Sequence, residues 1–363
     1  MKQMKVGVIG AGAISDIYLK NMIHRFDALE VVSIASAHRV NAEKKAAEYG
    51  LRACTVAEMM EDSSVGMVVV LTPVGSHEAL IRDALSHGKH VYTEKTLTDA
   101  PESALGLLRL AEEKGLYLGS APDTFLGAAW QTARKALDEG MLGEIHSFAI
   151  SATRCNDRLL SLYTFLREPG CGILYDYAVY YVTALVSLLG PVGRAAAITA
   201  APYPEHRGII EGKPDFGKTF ASPNESQVSA ILRMRSGVTG TLHIDADTVV
   251  SDEAYFTIYG TKGYLKLTDP NQFGGDVLFC PTHNDRWAPL EYRKLEPVSD
   301  LSDNCRGIGP QEMVLAIREG RPNRANKEMA YHVLEVLSAL LAGGKDGTFL
   351  DIQSTCQRPE RFS

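Results

Sequence analysis

The segment up to about residue 121 alternates short apolar strand patterns with helical ones, almost from the first residue. Residues 5–9 are β-rich, a glycine turn follows, and 13–24 are helical; 30–35 and 41–49 repeat the pattern, with Gly50 closing the second helix. The cadence continues through strand-like 66–71, helical 77–87, extended 90–93, helical 101–114 and extended 116–119. Strands joined through helices run parallel, with helices on both faces of the sheet. Their apolar runs lack polar alternation, which fits burial on both sides. An α/β fold opening with a Rossmann-type parallel sheet is expected.

The first turn reads Gly10-Ala11-Gly12-Ala13-Ile14-Ser15. Glycines let the chain turn tightly and bring N–H groups against a pyrophosphate, and the helix N-terminus adds the positive end of its dipole. Gly10, Gly12, Ala13 and Ile14 are therefore candidate cofactor contacts. Ser15 stands where a third glycine is usual, and an ordinary strand-to-helix turn reads much the same. At the end of the second strand, an NAD site usually carries an acidic residue for the ribose 2′-hydroxyl. Here the sequence is Ala35-Ser36-Ala37-His38-Arg39. Ser36 leaves room for a 2′-phosphate, and Arg39 either pairs with it or is a solvated start to the next helix. This end favours NADP(H) and leaves NAD(H) open.

After about residue 121 the pattern changes. Helices are expected at 128–139, 174–189, 310–319 and 327–341, and short strands with tight glycine turns between 226 and 267 suggest antiparallel neighbours. Residues 202–223, rich in Pro and Gly, read as a long loop. A chain of 363 residues suits two domains. They are placed at 1–121, for the dinucleotide, and 122–363, an α+β domain on an open, largely antiparallel sheet that binds substrate and oligomerises. One face of that sheet must be covered or unusually polar, so a homodimer or homotetramer is expected.

A net charge of −7 argues against nucleic-acid or anionic-membrane partners, which need a basic face. No apolar run approaches the ~20 residues of a bilayer span, and the start turns glycine-rich before a signal-peptide core can form. Six scattered cysteines without a C-x-x-C pair read as reduced thiols, so a cytoplasmic location is expected. Neither a metal site nor a nucleophile elbow is expected.

Two further runs stand at the ends of the third and fourth expected strand regions: Thr72-Pro73-Val74-Gly75-Ser76-His77, and Gly88 through Thr93-Glu94-Lys95-Thr96. A third is Gly170-Cys171-Gly172-Ile173-Leu174-Tyr175-Asp176, and a fourth is Asn304-Cys305-Arg306-Gly307. With the glycine turn, these resemble the Gfo/Idh/MocA (glucose–fructose oxidoreductase / inositol dehydrogenase / MocA-type) family over nearly the whole chain. The family shows T-P-x-x-x-H, E-K-P and G-G-G-x-x-x-D runs at the first three places. The resemblance implies an NAD(P)-dependent oxidoreductase whose small-molecule substrate is a sugar, cyclitol, glycoside or related diol. It adds Thr72, Pro73, His77 and Glu94 to the cofactor candidates, and implies that Lys95 lies by the nicotinamide.

Lys95 carries the catalytic expectation. It ends a strand at the carboxyl edge of a parallel sheet, where ligands bind, and a buried lysine beside a cofactor can have its pKa lowered into a useful range. Asp176 and Tyr180, four apart on a helix, share one face. The family has histidine where this chain has Tyr180, a phenol that can move a proton if a cation such as Lys95 lowers its pKa; alternatively Tyr175, Tyr177, Tyr180 and Tyr181 simply pack a buried helix. Thr96 replaces the family's proline, which is expected to free the backbone after Lys95. Asp123, Arg154, Asn156, Asp176 and Tyr180 are substrate-side candidates, with Arg158 a weaker one. Two alternatives stand beside the dehydrogenase reading: redox-neutral glycoside cleavage by oxidation and elimination, and an inactive ligand sensor.

Overall fold

The computed structural model describes residues 3–168, 170–249, 253–282 and 289–362. The chain forms two compact units, Met1–Leu126 with Asn304–Leu334, and Gly127–Asp303 with Glu335–Ser363. The second half is therefore not one uninterrupted domain from 122 onward, because 304–334 return to the first unit.

The first unit is built on β1 (Met4–Ile9), α1 (Ser15–His24), β2 (Leu29–Ala35), α2 (Arg39–Tyr49), β3 (Arg52–Ala53), α3 (Val56–Glu61), β4 (Met67–Val70), α4 (His77–Ser86), β5 (His90–Thr93), α5 (Pro101–Glu113) and β6 (Leu118–Ser120). Its six strands lie in the order β3-β2-β1-β4-β5-β6, all parallel. The order reverses between β1 and β4, and at that switch point the carboxyl ends of the strands open a crevice for a ligand. β4 is buried on both faces. Ile81, Ala84 and Leu85 of α4 and Ala104, Leu107 and Ala111 of α5 recur at helical spacing and are buried.

The second unit has α6 (Ala128–Asp138), β7 (Ile145–Thr153), α7 (Asn156–Leu162), α8 (Val179–Leu189), β8 (Val192–Ala200), β9 (Glu205–Arg207), β10 (Thr219–Ala221), β11 (Gln227–Met234), β12 (Thr239–Asp245), β13 (Ala254–Gly260), β14 (Gly263–Leu267), β15 (Leu278–Pro281) and β16 (Arg293–Lys294). After them, α9 (Ile308–Glu319) lies in the first unit, α10 (Lys327–Gly343) runs from the first into the second, and β17 (Leu350–Asp351) ends the regular structure. The nine-stranded sheet has the order β16-β15-β14-β13-β7-β12-β11-β8-β17. Its pairs are antiparallel except β12 with β7. On β11, Val228, Ala230, Leu232 and Met234 are buried while Ser229, Ile231 and Arg233 face outward, the period-two pattern of a one-sided core.

Two expectations are corrected. Residues 202–223 are not structureless: β9 and β10 pair as a ribbon, and His206 Nδ1 lies 2.9 Å from Asp157 Oδ1 of α7. The expected helix over 174–189 begins as a π turn, Leu174–Ala178, before α8. Asp176 sits in that turn and Tyr180 in α8, so the simple one-face α-helical relation between them does not apply. Among the described residues, no helix is long and apolar enough to cross a membrane.

The return of α9 to the first unit depends on small residues. Gly309, its second residue, leaves no room for a side chain: an added Cβ would lie 2.1 Å from Tyr92 Oη. Gly119 of β6 bridges antiparallel to Asn326, and a Cβ there would meet Ala325 O at 2.5 Å. Asn21 of α1 donates from Nδ2 to both Asn304 O and Arg306 O, at 2.8 Å each.

Candidate active site

In the first unit the turn after β1 is shaped to receive an anion. Gly10 has φ +119°, and an added Cβ would lie 2.7 Å from the Leu71 backbone, so β1 and β4 approach closely only because it is glycine. Gly12 and Ala13 are exposed, and a Cβ on Gly12 would meet nothing within 4 Å. Ile14 precedes α1 without a side-chain cap, so no side chain competes for the first N–H groups of the helix. Ser15, in the third-glycine place, is fully buried and donates from Oγ to Gly12 O at 2.6 Å, closing the turn. The one first-turn carboxylate, Asp16, is paired with Lys45 and accepts from Tyr49 Oη. An open cradle of backbone donors at a helix start fits a pyrophosphate.

At the end of β2, Ser36 is half-buried and Ala37, His38 and Arg39 are exposed. Arg39 opens α2, and its Nε donates to Glu43 Oε1 at 2.8 Å.

The ends of β4 and β5 carry the densest polar structure of this unit. Tyr18 of α1, fully buried, donates from Oη to Glu94 Oε1 at 2.6 Å. Burial first, then the Glu94 carboxylate, holds that phenol well above its ordinary range. Glu94 Oε2 accepts from the Lys95 N–H at 3.1 Å. Lys95 is half-buried, two residues beyond β5, and its peptide bond to Thr96 is cis. Thr96 does not loosen this segment as expected: it is buried, and its Oγ1 donates to Thr98 O at 2.7 Å. Its carbonyl oxygen lies 2.8 Å from His77 Nδ1, while His77 Nε2 lies 2.8 Å from Thr72 O. The Thr72 hydroxyl takes a hydrogen bond from Ser76 Oγ at 2.7 Å, and Pro73 is exposed beside it.

Two of these candidates have little or no surface to offer. His77 is fully buried and Glu94 is 9% exposed, so both act on the turn rather than reaching outward. Asp123 is 1% exposed, and its Oδ2 accepts from Gly309 N–H at 2.9 Å. Burial lifts its carboxyl to about 6, against the pull of that N–H and of Arg306 and with the push of Glu94.

In the second unit, the Gly170-Cys171-Gly172 run is tied down by two residues that carried no signal in the sequence. Asn224 Oδ1 accepts from Gly170 N–H at 3.0 Å, and Glu225 Oε1 accepts from Leu174 N–H at 3.1 Å. A Cβ on Gly172 would lie 2.1 Å from that same Glu225 oxygen, which accounts for the glycine. Burial holds the Glu225 carboxyl above its ordinary range, and Leu174 N–H draws it down. Past the π turn, Tyr177 and Tyr181 donate to the two oxygens of Asp269 at 3.1 Å and lie 2.8 Å from each other. The Arg154 guanidinium lies 3.8 Å over the Tyr177 ring. Tyr177 and Tyr181 are thus buried, hydrogen-bonded packing residues, while Asp176 is half-buried and Tyr180 is nearly covered at 8% exposed. Asn156 starts α7 with its N–H donating to Ala246 O at 2.7 Å, and Arg158 is exposed.

Residues 4–121 match a family described as an oxidoreductase family with an NAD-binding Rossmann fold, and 130–266 match its C-terminal domain, Gfo/Idh/MocA in both cases. Over 335 residues the chain is 25% identical to a dTDP-3,4-didehydro-2,6-dideoxy-alpha-D-glucose 3-reductase of Streptomyces antibioticus, covering 90% of this chain and 92% of that protein. Over 187 residues it is 24% identical to a scyllo-inositol 2-dehydrogenase (NADP(+)) of Bacillus subtilis, covering 52% of each. A levoglucosan dehydrogenase in complex with NADH and levoglucosan shares the fold, with a TM-score of 0.83 at 18% identity over 97% of this chain and all of that one.

Proposed function

Because the chain belongs to the Gfo/Idh/MocA oxidoreductase family and carries its NAD(P)-binding Rossmann fold, we propose that it transfers hydride between a nicotinamide dinucleotide and a CH–OH group of a sugar, cyclitol, glycoside or related diol. The names of its relatives, reductases and dehydrogenases of sugars and inositols, support that substrate class. The observation that carries the reading is the anchoring of Lys95 from both sides. Glu94 accepts from its N–H, and His77 lies on the carbonyl of the next residue. A backbone held on both sides of Lys95 at the carboxyl edge of a parallel sheet fixes the point from which its side chain starts, and proton transfer needs geometry before it needs pKa.

When bound, the nicotinamide takes or gives the hydride. Lys95 takes the hydroxyl proton during oxidation and returns it during reduction. Asp176 and Tyr180 orient substrate hydroxyls, Tyr180 from the place where the family has histidine. A panel of sugars, glycosides and cyclitols, followed by nicotinamide absorbance with each cofactor, tests this. Substrate cleavage with no net nicotinamide change would instead support redox-neutral glycoside cleavage.

The cofactor proposed is NADP(H). No carboxylate ends β2 to repel a 2′-phosphate, and the exposed Arg39–Glu43 pair is loose enough to exchange for it. Ser36→Asp is expected to reverse the preference toward NAD by about one to two orders of magnitude, through like-charge repulsion. Arg39→Ala is expected to weaken NADP while leaving NAD nearly unchanged. Titrating both cofactors against the three proteins checks this, and equal effects of Arg39→Ala on both would refute the assignment.

A homodimer or homotetramer through the outer face of the nine-stranded sheet is part of the same proposal. That face carries hydroxyl-paired tyrosines, Tyr255 with Tyr259 at 2.7 Å and Tyr264 with Tyr292 at 2.8 Å, together with half-exposed Ile198 and Ile231. Aromatic residues enrich protein interfaces. Light scattering at micromolar concentration is expected to give a multiple of the chain mass, which Ile231→Glu lowers; a strictly monomeric wild type overturns it. A cytoplasmic location goes with this reading, since scattered cysteines suit a reducing compartment.

A further inference from the structure

The π turn that carries Asp176 is held at both ends by carboxylates of the second unit. Downstream, Tyr177 and Tyr181 donate to the two oxygens of Asp269, which keeps the end of the turn and the start of α8 in place. The extra residue is taken up just before them, where Val179 N–H donates to Leu174 O five residues back. Upstream, the chain meets Asn224 and Glu225. Gly170 N–H donates to Asn224 Oδ1 at 3.0 Å, Ile173 N–H to Glu225 O at 3.2 Å, and Leu174 N–H to Glu225 Oε1 at 3.1 Å. Asn224 is itself fixed, its Nδ2 donating to Leu166 O and Glu168 O at 3.1 and 2.8 Å. The Glu225 carboxylate lies against Gly172, where an added Cβ would stand 2.1 and 2.2 Å from its two oxygens. A hydrogen bond from a backbone N–H to a carboxylate is about twice as strong as one between neutral groups.

We propose that Glu225 is a positioning residue for the substrate, its carboxylate locking the π register in which Asp176 is presented. The inference rests on the reading of Asp176 as a group that orients substrate hydroxyls. A π turn is rare and persists where its surroundings fix it. With Leu174 released, the extra residue can run out through the upstream end, and the turn then closes as ordinary α-helix. Each residue of an α-helix advances by about 100°. The upstream side of the turn therefore rotates by about that much relative to α8, which Asp269 keeps in place. Asp176 sits inside the turn and swings with it. Glu225 acts on the backbone of the turn, so its influence reaches the substrate through Asp176.

Gly172→Ala is the mildest test. Gly172 does not have a positive φ, so its backbone accepts alanine, and the new methyl displaces the end of a side chain rather than backbone. Crystal structures are expected to show the π turn in the wild type and α closure over Leu174–Ala178 in the variant; an unchanged turn overturns the proposal. The compound of the sugar, glycoside and cyclitol panel that the wild type turns over fastest is the kinetic probe. Gly172→Ala is expected to lower kcat/KM for it by about 10- to 10²-fold while the Kd for NADPH stays close to wild type. Glu225→Gln, which keeps an oxygen for Leu174 N–H, should retain most of the activity, and Glu225→Ala should match Gly172→Ala. Because the last two remove one and the same contact, the double variant should be no worse than either alone, and additive losses refute the mechanism. A cap that serves stability alone would lower Tm and leave the kinetics of the folded enzyme untouched, so wild-type kcat/KM in folded Gly172→Ala and Glu225→Ala also overturns the proposal. Asp176→Asn separates the two readings. If it leaves kcat/KM unchanged, the role of Asp176 falls while the hold of Glu225 on the turn is still read from the crystals; if it is impaired and Gly172→Ala is not, the role of Glu225 alone falls.

Discussion

Replacing Lys95 by alanine is expected to slow single-turnover hydride transfer by roughly 10²- to 10⁴-fold, the range that positioned proton transfer contributes. Cofactor binding should largely survive, because the cradle at Gly10, Gly12 and the start of α1 is made of backbone and lies on other turns. The loss should appear in kcat rather than in the Kd for the dinucleotide, since an interaction made only in the transition state leaves ground-state binding alone. Stopped-flow absorbance with saturating substrate and cofactor measures it. Near-normal turnover would remove Lys95 from the chemistry.

The second large effect concerns stability. The Asp123 carboxyl, ordinarily near 3.8, is lifted to about 6 by burial, so the folded chain holds this proton more tightly than the unfolded chain does. Between those two values the folded state binds more protons, and stability must fall as pH rises through the window. Above it the cost is fully present, about 3 kcal/mol from the size of the shift. Asp123→Asn keeps an oxygen to accept from Gly309 N–H and carries no charge. The variant is therefore expected to be more stable than wild type by up to about 3 kcal/mol at pH 8, with the difference vanishing toward pH 4. Denaturant midpoints across that range give the comparison, and parallel curves would show that Asp123 stays charged at little cost.

What the sequence made legible were features written in adjacent residues. The glycine turn at Gly10–Gly12, the Thr72-Pro73 and Glu94-Lys95 strand ends, and the alternation that gives six parallel strands all depend on local spacing. What escaped depends on partners far apart in the chain. Tyr18 reaches Glu94 across 76 positions, and no periodicity marks that pair. Asn224 and Glu225 lie just beyond a polar stretch that reads as loop, yet they fix the Gly170–Leu174 segment. The π turn at Leu174–Ala178 was invisible because a run whose only charge is Asp176 has too little polar phase to reveal one extra residue in a turn. Thr96 misled for a related reason: a missing proline suggests freedom only when no neighbour holds the backbone, and here His77 does.

Synthesis runs from the N-terminus, which makes the return of Asn304–Leu334 a matter of timing as well as of shape. When Leu126 has left the ribosome, the first unit still lacks α9, the bridge from Asn326 to Gly119, and the two carbonyls that occupy Asn21. The missing piece begins at residue 304, so at about 5–20 residues per second it follows some ten to thirty-five seconds later. By then all the strands of the nine-stranded sheet except β17 have emerged. The nascent dinucleotide-binding unit thus waits through the synthesis of the second unit's strands with Tyr92 and Gly119 uncovered by their later partners. A ribosome stalled before residue 304 should display a first unit far more open to protease than the released protein.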